Sequence, residues 1–159
     1  MVKVNFILMI IKIIFIIFLF FNYSLTLAES YIKASNGITW DKNNQSYSAE
    51  GSVEFKNDEI TANANSMIAF YSFENEKEVF ENVILEGKVK ILYNDEVFNS
   101  DKADYDKSKS LIILYGNVTI VSPDRYLSGD KLTVDLKNNT RVLETDGQDS
   151  LAEALIKDE

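Results

Sequence analysis

Val83-Ile-Leu-Glu-Gly87-Lys-Val-Lys-Ile91 and Ile112-Ile-Leu-Tyr-Gly116-Asn-Val-Thr-Ile120 are two copies of one segment, 29 residues apart. Apolar residues occupy every second position in each, and a glycine takes the middle one. In the first copy these are Val83, Leu85, Gly87, Val89 and Ile91, and in the second Ile112, Leu114, Gly116, Val118 and Ile120. A period of two places such residues on one face of an extended strand, with Glu86, Lys88 and Lys90 on the alternate positions of the first copy. A glycine inside a strand marks a bend, a bulge or a close approach of another backbone. The segment therefore predicts strands with one apolar face and a corner built in at the glycine.

Outward from these two copies the pattern continues. Ala49-Glu-Gly51-Ser-Val-Glu-Phe55 is a third copy, and Gly147, followed by Gln148 and Asp149, is a weak fourth. The four glycines are 36, 29 and 31 residues apart. A turn pair follows three of them six or seven residues on: Asn57-Asp58, Asn94-Asp95 and Pro123-Asp124. Asn and Asp tolerate left-handed dihedrals and Pro presets φ, so these pairs suit tight turns. The next segment repeats as well. Phe98-Asn-Ser-Asp101-Lys-Ala-Asp-Tyr105-Asp106 lines up with Leu127-Ser-Gly-Asp130-Lys-Leu-Thr-Val134-Asp135, and Ile60-Thr-Ala-Asn63 is a weaker copy. In the second of these, Leu127 and Gly129 give way to Leu132, Val134 and Leu136, a change of parity that implies a bulge or corner near Asp130. Further turns are expected at Asp41–Asn44, Lys107–Ser110 and Lys137–Thr140. Self-similarity at a fixed period is the mark of stacked structural repeats. The expectation is an all-β domain over residues 29–159, a repetitive stack of antiparallel hairpins in four copies of about 30 residues. Ser150–Ile156 is expected to be a final strand or a short helix.

The chain has no Cys and no His, which removes disulfide frameworks, thiolate and imidazole metal sites and His-based general bases together. Its net charge of −9 repels phosphates and argues against nucleic-acid binding. With one Pro, six Gly and 46% apolar residues, it has the material for a core and little sign of disorder.

Residues 1–28 read as an export signal or an anchor. Lys3 opens a short basic region, and an apolar run from Val4 to Phe21 is broken by Asn5 and Lys12. Thr26 and Ala28 approximate the small-x-small pattern of signal-peptide cleavage, which is expected after Ala28. The stretch Ile13–Phe21 is too short to span a bilayer alone, whereas Val4–Phe21 retained as an anchor has to tolerate Lys12. In either case the remainder is delivered outside the cytoplasm.

The apolar face comprises Val53, Phe55, Val83, Leu85, Val89, Ile91, Ile112, Leu114, Val118, Ile120, Leu132 and Val134. Periodicity alone is equally compatible with a dry core and with a cavity that takes a lipid. Small Ala62, Ala64, Ala103 and Gly129 among large Ile and Phe are the residues that leave space.

Gly-x-Val-x-Ile, Asp101-Lys-x-x-Tyr105-Asp106 and the run Gly129-Asp-Lys-Leu-x-Val-Asp-Leu136 resemble the LptA/OstA family of periplasmic lipopolysaccharide transport proteins. The resemblance covers roughly Ile32 to Leu155. It implies a β-jellyroll, or "β-taco", of stacked hairpins whose apolar trough holds the acyl chains of lipopolysaccharide. It also implies a carrier or bridge from inner to outer membrane, serving outer-membrane assembly. Oligomers with copies of itself, and with the jellyroll domains of inner- and outer-membrane components, would form by edge-strand addition. On this reading the twelve apolar residues contact lipid, with no catalysis, cofactor or metal. The chain is too short for the family's outer-membrane barrel protein. Three alternatives stand beside the carrier: a membrane-anchored LptC-like adaptor, a dry-core structural repeat protein with protein partners only, and a carboxylate-based hydrolase of cell-wall sugars.

Other constellations are weak. Asp104, Asp106, Ser108 and Ser110 alternate like calcium-loop ligands, but Lys109 stands where the turn Gly belongs and Tyr115 where the bidentate Glu belongs. A polar hairpin turn is the expectation there. Glu74, Glu76, Glu78 and Glu81 with Lys77 read as a solvated loop. Trp40 aligns with Tyr105 and Val134, which makes it a core or trough residue.

Overall fold

The computed structural model describes residues 30–147 and 151–157. The signal or anchor at 1–28 and the cleavage after Ala28 lie outside the described residues. Among the described residues no helix is long and apolar enough to cross a membrane.

The chain forms β1 (Tyr31–Lys33), β2 (Gly37–Asp41), β3 (Ser46–Lys56), β4 (Thr61–Glu74), β5 (Lys77–Tyr93), β6 (Glu96–Asp106), β7 (Leu111–Val121), β8 (Arg125–Asp135), β9 (Thr140–Glu144) and β10 (Glu153–Ile156). All pairs are antiparallel, in the order β1-β3-β4-β5-β6-β7-β8-β10, with β2 also on β3 and β9 also on β8. Of the segment expected as a final strand or short helix, residues 153–156 form the strand β10.

Each strand from β3 to β8 is bent once in its middle, and the register shows where. Pairing jumps between Glu50 and Val53, Glu86 and Val89, and Tyr115 and Val118. At each jump two residues face one on the neighbouring strand. The pairs are Gly51-Ser52, Gly87-Lys88 and Gly116-Asn117, with φ of +73 and +44, +77 and +52, and +72 and +47. Two consecutive left-handed residues turn the strand sharply, and the first has to be glycine for a second reason. A Cβ on Gly51 would lie 2.5 Å from the side chain of Asn36, one on Gly87 2.7 Å from Asn65, and one on Gly116 2.6 Å from Asp101. A neighbouring segment lays an Asn or Asp across each glycine: the bend between β1 and β2 over Gly51, β4 over Gly87 and β6 over Gly116. At the next corner the carboxylate of Asp130 accepts a hydrogen bond from the backbone of Asp146, 2.9 Å away, where β9 and β10 part company.

This corrects one alignment. Pairing puts Asn65, not Asn63, over the glycine, because Ile91 faces Phe98 on one side and Ala62 on the other. Ala62, not Ile60, is therefore the counterpart of Phe98.

The corners divide every long strand into two arms. One arm sheet holds β1, 53–56, 61–64, 89–93, 96–100, 118–121, 125–129 and β10. The other holds β2, 46–50, 66–74, 77–86, 102–106, 111–115, 131–135 and β9. Folded along the line of glycines, the arms face each other across one apolar interior. Opposite the corner their tips meet along a seam.

Turns at 42–45, 107–110 and 136–139 join strands of the second arm. Each ends in a left-handed residue: Gln45, Ser110 or Asn139. An aspartate precedes each turn and accepts backbone N–H groups: Asp41 from Asn43 and Asn44, Asp106 from Lys109, Asp135 from Asn138. The side chains of Lys109 and Ser108 also bond Asp106, as a polar hairpin turn requires.

All three carboxyls are held below the ordinary range, Asp41 and Asp135 chiefly by the backbone N–H of Asn44 and Asn138. Asp106 is lowered to about 2, first by Lys109 and then by Ser108. A depressed folded pKa contributes stability that is full above the unfolded value and is lost as pH falls through the folded one. The melting temperature is therefore expected to fall between about pH 4 and pH 2, and to fall less in Asp106→Asn. Equal losses in the two proteins, measured by circular dichroism, would remove Asp106 from the account.

Candidate functional site

The twelve apolar residues singled out by periodicity all face the interior. Val83, Ile112 and Val134 lie in one cross-strand row, with Tyr105 between the first two. Leu85, Leu114 and Leu132 form the next, with Ala103. On the opposite arm Ile91, Phe98, Ile120 and Leu127 form a row that continues through Ala62 to Phe55. Val53, Val89 and Val118 lie nearest the corner, opposite Ala64, Ser100 and Gly129.

Each of the twelve is 0–2% exposed. A water-sized void beside any of them would register as exposure, so in this conformation the side chains fill the space themselves. Ala62, Ala64 and Ala103 are buried in contact with the same cluster. Gly129 leaves no gap either, since a Cβ there would lie 2.9 Å from the side chain of Leu143.

The twelve leave out several interior residues, although the alignment with Val134 puts Tyr105 on the interior face. Phe98 and Tyr105 are among the largest fully buried side chains, and Met67 and Ala69 belong to the same cluster. Phe98 and Tyr105 stand in the repeated segment that carries the corner Asp101. Parity reverses there, so simple alternation does not link them.

Along the seam, among the described residues, the arms meet through side chains at three points. Phe80 sits edge-on to Phe55, with ring centroids 5.4 Å apart. The Tyr105 hydroxyl donates to Glu59 Oε2 at 2.6 Å and accepts from Asn57 Nδ2 at 3.2 Å. Burial, reinforced by the hydrogen bond to Glu59, pushes this phenol well above its ordinary pKa. Arg141 pairs with Glu96 and lies 5.9 Å from the Tyr93 ring centroid. Outside that pair is a polar cleft of about 470 Å³ that includes Asn94, Asp124, Arg125 and Asn139.

The two ends of the stack differ. At the β2 end Trp40 stacks on Tyr47 at 5.8 Å and donates from Nε1 to the Tyr71 hydroxyl at 2.9 Å. Burial and a hydrogen bond to Glu78 push the Tyr47 phenol up to about 12. Trp40 shares the register row of Tyr105 and Val134, yet it is 47% exposed. Among the described residues no strand flanks β2 on its outer side, so the expectation of a core residue fails on the missing neighbour. At the other end β10 is exposed throughout. The acidic stretch is a hairpin and not a loop: Glu74 ends β4, Glu78 and Glu81 lie on β5, and only Asn75 and Glu76 form the turn.

Residues 31–140 match the model of a family described as LptA/(LptD N-terminal domain) LPS transport protein. The chain belongs to this LptA/LptD N-terminal family. Its role therefore lies in lipopolysaccharide transport, in a family of transport proteins and not of enzymes. The architecture agrees with that of a solved structure, LptH from Pseudomonas aeruginosa, described as the LptA-homologous periplasmic component of the conserved lipopolysaccharide transport device. The TM-score is 0.69 at 11% identity, covering 82% of this chain and 96% of that one. At this identity the likeness shows the fold, which is the β-jellyroll of the LptA type. No curated protein matches the chain in sequence.

Proposed function

We propose that this LptA/LptD N-terminal family member is a periplasmic carrier that holds lipopolysaccharide by its acyl chains between the two arms and passes it from the inner toward the outer membrane. The observation that carries the reading is a continuous apolar interior, running the length of the stack, in a protein of a lipopolysaccharide transport family. An acyl chain in water costs about 0.8 kcal/mol for each exposed CH₂, so a lipid of several chains needs cover at every step of an aqueous crossing. The twelve interior residues supply that cover, from Val53 and Phe55 near β1 to Leu132 and Val134 near β9. At the ends β1 and β2, and β9 and β10, present strand edges to which a further jellyroll, of this chain or of a membrane component, adds by backbone pairing.

The test places a photo-crosslinking residue at Ile120 or at Thr119, whose side chain faces away from the interior and accepts from Asn99 Nδ2 at 3.0 Å. With purified lipopolysaccharide, adducts are expected at position 120 and not at 119. The filled interior favours a second reading, a dry-core scaffold with protein partners. A folded protein that gives no adduct at either position would establish that reading in place of the carrier. An anchored adaptor of the same system is separated by the mass of the mature N-terminus, since cleavage after Ala28 argues against it.

A further inference from the structure

An interior whose lining is 0–2% exposed has to open before it can take an acyl chain. Three routes exist: through the glycine corner, through an end of the stack, or through the seam. The corner is continuous backbone, with Asn36, Asn65 and Asp101 laid across its glycines. The seam is different. Strand pairing joins residues only within an arm. Among the described residues, no backbone–backbone hydrogen bond of the turns and loops crosses the seam either. What closes it is the set of side-chain contacts made by Phe80, Tyr105 and Arg141.

Resting on the carrier reading, we propose that lipid loads through this seam, with the glycine corner as hinge and the Tyr105–Glu59/Asn57 and Arg141–Glu96 contacts as latches. The placement of the latches suits that role. Each joins an interior-facing residue of one arm to a residue at or beside a hairpin turn of the other. Tyr105 reaches the β3–β4 turn, and Arg141 reaches Glu96 beside the β5–β6 turn. Hydrogen bonds and an ion pair at a solvent boundary exchange for water when the arms part. Apolar contacts at the same places do not, and they would hold the seam shut more firmly. Polar latches therefore keep the apolar lining covered when empty and let it open without leaving orphaned groups behind. The hinge is equally specific: paired left-handed residues recur at 51–52, 87–88 and 116–117, so the arms can swing about one line.

The chain has no cysteine, which makes a direct test clean. Glu96→Cys with Arg141→Cys is introduced into the full chain and joined by a reducible bis-methanethiosulfonate linker, with the photo-crosslinker at Ile120 reporting loading of purified lipopolysaccharide. A control carries Ile113→Cys with Thr133→Cys, register partners on adjacent strands of one arm. Linking across the seam is expected to cut adduct formation about tenfold or more, with recovery on reduction, while the linked control stays within about twofold of its reduced form. Tyr105→Phe, which removes one latch and keeps the ring, is expected to load about threefold faster than the unmodified protein. A seam-linked protein that loads at the reduced rate would overturn the proposal and assign entry to an end of the stack. If the unmodified and reduced proteins also give no adduct, the carrier reading itself falls, and the gate with it.

Discussion

Ile120→Asp is expected to leave the protein unfolded or close to it at 25 °C, with loss of lipopolysaccharide adducts at every interior position. Ile120 is 2% exposed, between Phe98 and Leu127 in its register row. The substitution deletes buried apolar volume and inserts a carboxylate with no partner in reach. Losing the Ile side chain costs about 2–5 kcal/mol by itself, and burying an unpaired polar group adds about 1–3 kcal/mol more. The sum rivals the whole stability of a domain this size, about 5–15 kcal/mol. Val89→Asp is expected to behave alike, since Val89 is 1% exposed on the same arm. Urea unfolding followed by circular dichroism measures the effect. A cooperative transition within about 1 kcal/mol of the unmodified protein would mean that position 120 is not interior, and the face assignment would be wrong. Val89→Thr separates lipid contact from folding, because it keeps the shape and replaces one methyl group with a hydroxyl. It is expected to fold, with a stability loss of about 1–2 kcal/mol, and to load less lipid.

How far the sequence reveals this structure depends on which strand of each corner is read. On the glycine-bearing strands alternation runs unbroken, because the extra residue at the bulge compensates for the corner. Val83 to Ile91 and Ile112 to Ile120 therefore announce both their face and their bend. On the opposite strands no residue is added, so parity flips at Asp101 and Asp130, and Phe98 and Tyr105 look unrelated though both are buried. The same flip hides Asn65 behind the more conspicuous Asn63. Turns with Asn-Asp or an aspartate at their start are legible because their chemistry is local. The latches are not, because they tie residues far apart in sequence, Tyr105 to Glu59 and Arg141 to Glu96, and a glutamate beside a turn looks like a solvated charge. Trp40 shows a related limit. Periodicity gives the face a residue is on, while burial also needs a neighbouring strand, and among the described residues β2 has one on a single side. Membership of the family is legible because it rests on the repeated corner and turn pattern, which local chemistry imposes on each copy.

Gly87→Ala is expected to destabilise the domain by about 3 kcal/mol although it adds a single methyl group. Two costs combine. At φ +77 an L-residue pays about 1–2 kcal/mol for the left-handed conformation. The new Cβ would also stand 2.7 Å from Asn65 Nδ2 and 3.0 Å from its Cβ, closer than such atoms pack, so Asn65 has to move. The two costs are separable. In an Asn65→Gly background both contacts are gone and the backbone term remains, so Gly87→Ala is expected to cost about 1–2 kcal/mol there. Lys88→Gly works in the opposite sense. Lys88 is already left-handed at φ +52, and glycine there removes that strain, so the change is expected to be neutral or stabilising by up to about 1 kcal/mol. Equilibrium unfolding of the four proteins in urea gives the cycle directly. An equal cost for Gly87→Ala in both backgrounds would show that Asn65 does not press on the corner. The corner would then be held by backbone dihedrals alone, and the arms would swing about it more freely than a side chain laid over the hinge permits.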